Sequence, residues 1–141
     1  MIYLLDTDHV SLDQRGNQLV MSRINAAGPT QVAISIITVE EQMRGWLAAL
    51  RAARSGAERC AAYARLRAAV EYFASNTLID YDTAADEIFE SLRHQGIRIG
   101  TQDLRIAAIA LSRKATLVTR NARDFGIIPG LTIVDWSLPE P

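Results

Sequence analysis

Only one cysteine, Cys60, occurs in the 141 residues, so the chain can form no internal disulfide. That suits a reducing cytoplasm, where a lone cysteine on a helical pattern is expected to act as a small hydrophobe. No apolar run approaches the ~20 residues needed to cross a bilayer, so no membrane partner is expected. The N-terminus carries no basic segment followed by a long apolar stretch, so no leader is expected either. Lys114 is the only lysine, and His9 and His94 are the only histidines. With cysteine and histidine this scarce, a zinc centre is argued against. There is no internal repeat, low-complexity tract or Pro/Gly-rich linker to divide the chain. Net charge is −1, so the protein as a whole is no general polyanion binder, and a nucleic-acid site must be a local patch.

What is present fits one globular unit over 1–141. Apolar residues make up 49 % and charged residues 22 %, enough to bury a core and too apolar for disorder. The basic residues are nearly all arginine and fall in two groups. Arg44, Arg51, Arg54, Arg59, Arg65 and Arg67 share a stretch whose only acid is Glu58, and Arg105, Arg113, Lys114, Arg120 and Arg123 come late. Arginine forks suit phosphates, so these residues are candidate flanks of a nucleic-acid path. The plainer reading, favoured from composition, is that they solvate the outer faces of alanine-rich helices.

Short β-branched runs alternate with longer helical patterns. Strands are predicted at 2–5, 32–36, 77–81, 116–119 and 131–135, and helices at about 18–27, 39–53, 57–75, 83–95 and 101–114. This alternation predicts an α/β fold with a mostly parallel central sheet and helices on both faces. In such sheets ligands gather outside the carboxyl ends of the strands.

Acids fall at those ends. Asp6 and Asp8 follow the first strand in "YLLDTDHVS". Thr38, Glu40 and Glu41 follow the second in "ISIITVEEQMRG", and Asn121 and Asp124 follow the fourth in "TLVTRNARDF". Asp103 opens a helix whose continuation, "LRIAAIAL", must be buried. If the strands are parallel the acids converge, and Arg120 alone cannot balance them. Packed like charges raise their pKa values or bind a cation, and hard carboxylate oxygens suit Mg²⁺ or Mn²⁺. Each acid also has a purely structural explanation. Asp6 or Asp8 fits an Asx turn, Thr38 and Glu41 fit a capping box, Asp103 suits a helix dipole, and Asp124 suits a cap. Four capping acids at one rim is the less comfortable coincidence. His9 is expected at the rim as a polar neighbour rather than a general base, and His94 as a charge at a helix C-terminus.

Together these blocks resemble the PIN-domain ribonucleases, in particular the VapC-type toxins of bacterial toxin–antitoxin pairs, over essentially the whole chain. "YLLDTDHVS" resembles the opening strand and first catalytic Asp. "AISIITVEEQMRG" resembles the second block, in which the offset to Gly45 selects Glu41 over Glu40. "DLRIAAIALSRKATLVTRNARDFGIIPGLTIVDW" resembles the C-terminal third, with Asp103 as third acid. One departure is Asn121, which stands where many members place a fourth acid two residues after the strand-four threonine. Either Asp124 takes that role or Asn121 positions a water or metal ligand.

The resemblance implies a PIN-like three-layer fold and metal-dependent hydrolysis of an RNA phosphodiester. Asp6, Glu41, Asp103, Asp124 and Asn121 would form the catalytic set. Asp6 and Asp103 are then the primary ligands of Mg²⁺ (or Mn²⁺), with Glu41 as ligand or water-orienting base. Thr7 and Thr119 would support them by hydrogen bonds. A second ion, if bound, would involve Glu41 and Asp124. Arg44 or Arg120 would steer RNA to the pocket. A cognate antitoxin and a homodimer are the implied partners. Two competing readings are a haloacid-dehalogenase-type phosphatase, whose D-x-D-x-[TV] opening "LLDTDHV" also matches, and a PIN-like module that binds without cutting. The phosphatase reading lacks a suitable lysine and terminal acidic pair, and the chain is short for that fold.

Overall fold

The computed structural model describes residues 2–139. Five strands form one sheet: β1 (Tyr3–Leu5), β2 (Val32–Ser35), β3 (Thr77–Ile79), β4 (Thr116–Val118) and β5 (Ile133–Val134). Their order is β3-β2-β1-β4-β5, and every pairing is parallel. Among the described residues seven helices connect and cover them: α1 (Thr7–Gln14), α2 (Gln18–Ala27), α3 (Ile36–Ala52), α4 (Gly56–Ala74), α5 (Thr83–His94), α6 (Thr101–Ser112) and α7 (Ala122–Phe125).

The three central strands are short and almost wholly buried. Leu4 lies beside Ala33 and Leu117, and Leu5 beside Ile34 and Val118. Alternation along the strand sends these two rows to opposite faces. Leu4, Ala33 and Leu117 join a core with Phe89 of α5, Phe125 of α7 and Ile106 and Ile109 of α6. Leu5, Ile34 and Val118 join a second core with Val10 of α1, Val20 of α2, Phe73 of α4 and Trp136. The middle of α6, Ile106–Ala110, is buried throughout, as its unbroken apolar run required.

The strand order reverses direction at β1: the chain moves outward to β2 and β3, then crosses to β4 and β5. This places the topological switch between β1 and β4, where the carboxyl ends leave a crevice. The Asp6 amide donates to the Val118 carbonyl at 2.9 Å, so Asp6 stands at the lip of that crevice.

Several boundaries differ from the sequence expectation. "TDHVSLDQ" has no clean helical period, yet it forms α1 because Asp6 caps it, accepting from the Thr7 amide at 2.8 Å, and Val10 is buried beneath. α3 starts at Ile36 rather than near 39. Ser35, the last residue of β2, caps it by accepting from the Thr38 amide at 3.2 Å. The Thr38–Glu41 capping box therefore does not form, and Glu41 lies inside the helix with its side chain free for other work. Cys60 is on a helix, α4, as expected, but it is exposed there and does not pack as a small hydrophobe. The arginines of 44–67 are exposed, all on helices α3 and α4 except Arg54 in the turn between them, much as composition favoured; Arg44 pairs with Glu40 and Arg67 with Glu71. Among the described residues no helix is long and apolar enough to cross a membrane.

Candidate functional site

The carboxyl ends of β1, β2 and β4 bring four acids of three different chain segments to one crevice, with a fifth from α6. Asp6 sits deepest, only 6 % exposed, directly after β1. Its Oδ2 accepts from the Thr119 hydroxyl at 2.8 Å, and Oδ1 from the Thr7 amide. Burial pushes its pKa up to about 7, aided by the charges of Asp8 and Asp103 and resisted by the two hydrogen bonds.

Glu41 approaches from the second turn of α3. The Thr7 hydroxyl is 3.0 Å from that of Thr38 and 3.4 Å from Glu41 Oε2. The other Glu41 oxygen, Oε1, is buried and meets no hydrogen-bond partner. Partial burial raises the Glu41 pKa, and Asp103 raises it further. Asp103 projects from the first turn of α6, which begins at Gly100 without a side-chain cap. Its pKa is also raised, first by burial, then by Asp124 and Asp8. Among the described residues the only basic side chain acting on any of these three acids is Arg44, weakly, on Glu41.

Asn121 and Asp124 form a unit at α7. Asn121 Oδ1 accepts from the Asp124 amide at 3.3 Å, and its Nδ2 donates to Asp124 Oδ2 at 3.1 Å. The cap of α7 is thus Asn121 rather than Asp124. Asp124 is the group at this corner whose charge reaches Asp103, and Asn121 holds it there.

Asp8 faces the same crevice but is engaged at both oxygens. Oδ1 lies 2.7 Å from His9 Nδ1, and Oδ2 accepts from the Arg120 amide at 2.9 Å. His9 does not face the rim as expected: it is fully buried, and its Nε2 accepts from the Trp136 amide at 3.1 Å. The Arg120 contribution to this corner is its backbone; its side chain is exposed. Sequence reasoning missed this lock, and it also missed Gln102, which reaches across from α6 to Glu40 on α3 at 2.7 Å. Neither contact has a sequence signal, since both depend on how separate segments meet.

The donor set is all oxygen, crowded and short of positive charge. No group of three or more His, Cys, Asp or Glu side chains among the described residues is arranged to hold a metal ion outright. Mg²⁺ does not demand that: it keeps several waters and takes one or two protein carboxylates. The buried, unpartnered Glu41 Oε1 beside acids with raised pKa values fits such an ion.

Comparison with known proteins gives a consistent picture. No protein-family model matches the chain. The chain is 42 % identical over 86 residues to the tRNA(fMet)-specific endonuclease VapC of Salmonella typhimurium, an alignment spanning 57 % of this chain and 65 % of that enzyme. That match therefore covers less than two thirds of the relative. Ribonuclease VapC1 of Haemophilus influenzae is 30 % identical over 139 residues, 97 % of this chain and 99 % of that one. Among solved structures, VapBC-1 from nontypeable Haemophilus influenzae superposes with a TM-score of 0.76 at 26 % identity, covering 98 % of this chain and all of its counterpart. The end-to-end match in sequence and the superposed fold lead to one conclusion: the chain belongs to the VapC family of PIN-domain ribonucleases.

Proposed function

We propose that the protein is a metal-dependent endoribonuclease, the toxin of a toxin–antitoxin pair, that hydrolyses RNA phosphodiester bonds. The observation that carries this reading is the crevice between β1 and β4. There Asp6, Glu41 and Asp103 share raised pKa values and almost no positive charge, and one buried Glu41 oxygen has no partner. The relatives are named ribonucleases, and a toxin–antitoxin complex from Klebsiella pneumoniae is among the solved structures that share the fold, which supports both halves of the proposal.

Asp6 and Asp103 are the residues that would hold Mg²⁺, with Glu41 as further ligand or water-orienting base. Mn²⁺ is the natural substitute. When bound, the ion would supply charge for the phosphate oxygens and lower the pKa of a coordinated water. The chain's own contribution is to gather and orient these acids. Thr119 fixes Asp6, Thr7 bridges Thr38 and Glu41, and Asn121 sets Asp124 where it can serve as the fourth acid. Arg44 and Arg120 are exposed cations available to the substrate.

The protein partner in this reading is a cognate antitoxin, and a homodimer is the working unit. Asp8 argues against the phosphatase alternative. That chemistry needs it as a free general acid, whereas both of its oxygens are engaged by His9 and the Arg120 amide. Incubating a mixed RNA pool with the protein in Mg²⁺ and in EDTA tests the proposal. Cleavage in Mg²⁺ that EDTA abolishes is expected. Intact RNA in both, or release of inorganic phosphate from small phosphoesters instead, contradicts it.

A further inference from the structure

Outside the acidic crevice, the other flank of the first turn of α6 carries a concentration of positive charge that the chemistry above does not use. Arg93 of α5, Arg98 of the α5–α6 loop and Arg105 of α6 line one cavity of about 340 Å³, floored by Phe89 and Leu104 and edged by Thr101. The guanidinium carbons of Arg93 and Arg105 each lie 5.4 Å from the centroid of the same Phe89 ring. That ring is 4 % exposed, so it is a fixed platform. Stacking uses the flat face of a guanidinium and leaves its N–H edge free to donate, which suits a phosphate oxygen.

These cations are poorly balanced. Arg98 makes no ion pair among the described residues. Arg93 reaches Glu90 at 3.4 Å, with both side chains more than half exposed. Arg105 bonds the neutral Gln102 at 2.8 Å. The other acid close by, Asp86, accepts from the Tyr81 hydroxyl. Three arginines on an apolar floor, of which only Arg93 pairs with a carboxylate among the described residues, make a concave site that an anion completes.

Position gives the anion its identity. Thr101, Leu104 and Arg105 face the cavity, while Asp103, on the intervening side of the same turn, faces the crevice. A nucleic-acid strand entering the acidic rim meets repulsion there and must be held by phosphates outside it. We infer that the Arg93–Arg98–Arg105 cavity binds a backbone phosphate of the RNA strand flanking the bond cut at the acidic rim. The inference rests on the ribonuclease reading and adds where the substrate is gripped.

The test uses the full chain with a fluorescent oligoribonucleotide that the wild type cleaves. Arg93→Ala/Arg98→Ala/Arg105→Ala is compared with the single change Arg98→Glu, which alters one exposed side chain and does not threaten folding. The expected result is a rise in KM of about tenfold or more with kcat within about twofold, a loss of uniform binding. The dependence of log KM on log salt should also flatten by about 0.7 for each phosphate that is no longer gripped. Arg98→Lys should restore part of the salt dependence. If KM and salt slope match wild type in both variants, the inference is overturned. The same holds if only binding to an acidic protein partner weakens, since the patch is then a protein docking face. Wild type that neither binds nor cuts RNA would instead fail the ribonuclease reading itself.

Discussion

The Thr119 hydroxyl donates to Asp6 Oδ2 at 2.8 Å while its oxygen accepts from the Asn121 amide at 3.0 Å. The amide occupies a lone pair, so the hydroxyl proton is directed at the carboxylate, and the deepest acid of the crevice is held ionisable from the neighbouring strand. Removing the donor should raise the Asp6 pKa above its already elevated value of about 7. Thr119→Val is therefore expected to lower cleavage at pH 7 by roughly three- to tenfold and to recover toward wild type at higher pH. A pH–rate profile checks this; an acid limb that stays in place or moves down speaks against it.

His9 should prove structural. Its ring is fully buried and both nitrogens are engaged, Nδ1 with Asp8 and Nε2 with the Trp136 amide, so it ties the end of β1 to the segment after β5. His9→Leu strands a buried amide and one Asp8 oxygen and should lose roughly 2–4 kcal/mol in urea denaturation. Where the variant is still folded, cleavage should stay within about tenfold of wild type, because loss of a general base takes 10²–10⁴-fold. A stability change below about 0.5 kcal/mol, or a rate loss of the general-base size, refutes the assignment.

These two contacts also mark how far the sequence could be read. The alternation of β-branched runs and helical patterns was enough to predict the strands, the sheet and helices α2 to α6, because burial on both faces leaves an apolar run that composition reveals. The acids were visible because each follows a strand or opens a helix. What stayed hidden depends on cooperation between distant segments. α1 has no amphipathic period and forms under the Asp6 cap, and Ser35 displaced Thr38 from the cap of α3. The His9–Trp136 bond spans 127 positions and leaves no local trace.

The pKa shifts give a pH dependence of stability with a definite sign. Asp6 titrates near 7 in the folded chain and at 3.8 in the unfolded one, so between these values the native state holds a proton that the unfolded state has released. Stability contributed by this group therefore falls as pH rises through that window, on the order of 4 kcal/mol over the full range. Glu41 and Asp103 are shifted in the same direction. In EDTA the melting temperature should be lower by several degrees at pH 8 than at pH 5, and Mg²⁺ or Mn²⁺ should raise it selectively at pH 8. A melting temperature that rises with pH in EDTA, or that Mg²⁺ leaves unmoved at pH 8, contradicts the reading.

Asn121 positions Asp124 and also caps α7. Asn121→Ala removes both bonds and should lower stability by about 1 kcal/mol, with a drop in cleavage smaller than that of Asp103→Asn. Cleavage rates of the two variants in parallel check the order. A larger loss from Asn121→Ala would make Asn121, not Asp124, the fourth group of the site.

Asp6 and not Asp8 is the working acid of "DTD" in the proposed reaction. Initial rates of oligoribonucleotide cleavage in Mg²⁺ at pH 7.5, for Asp6→Asn and Asp8→Asn side by side, test this directly. Asp6→Asn should lose at least about a hundredfold, and Asp8→Asn less than about tenfold, because the latter keeps an acceptor for the Arg120 amide. Equal losses, or a severe effect of Asp8→Asn with Asp6→Asn near wild type, would contradict it.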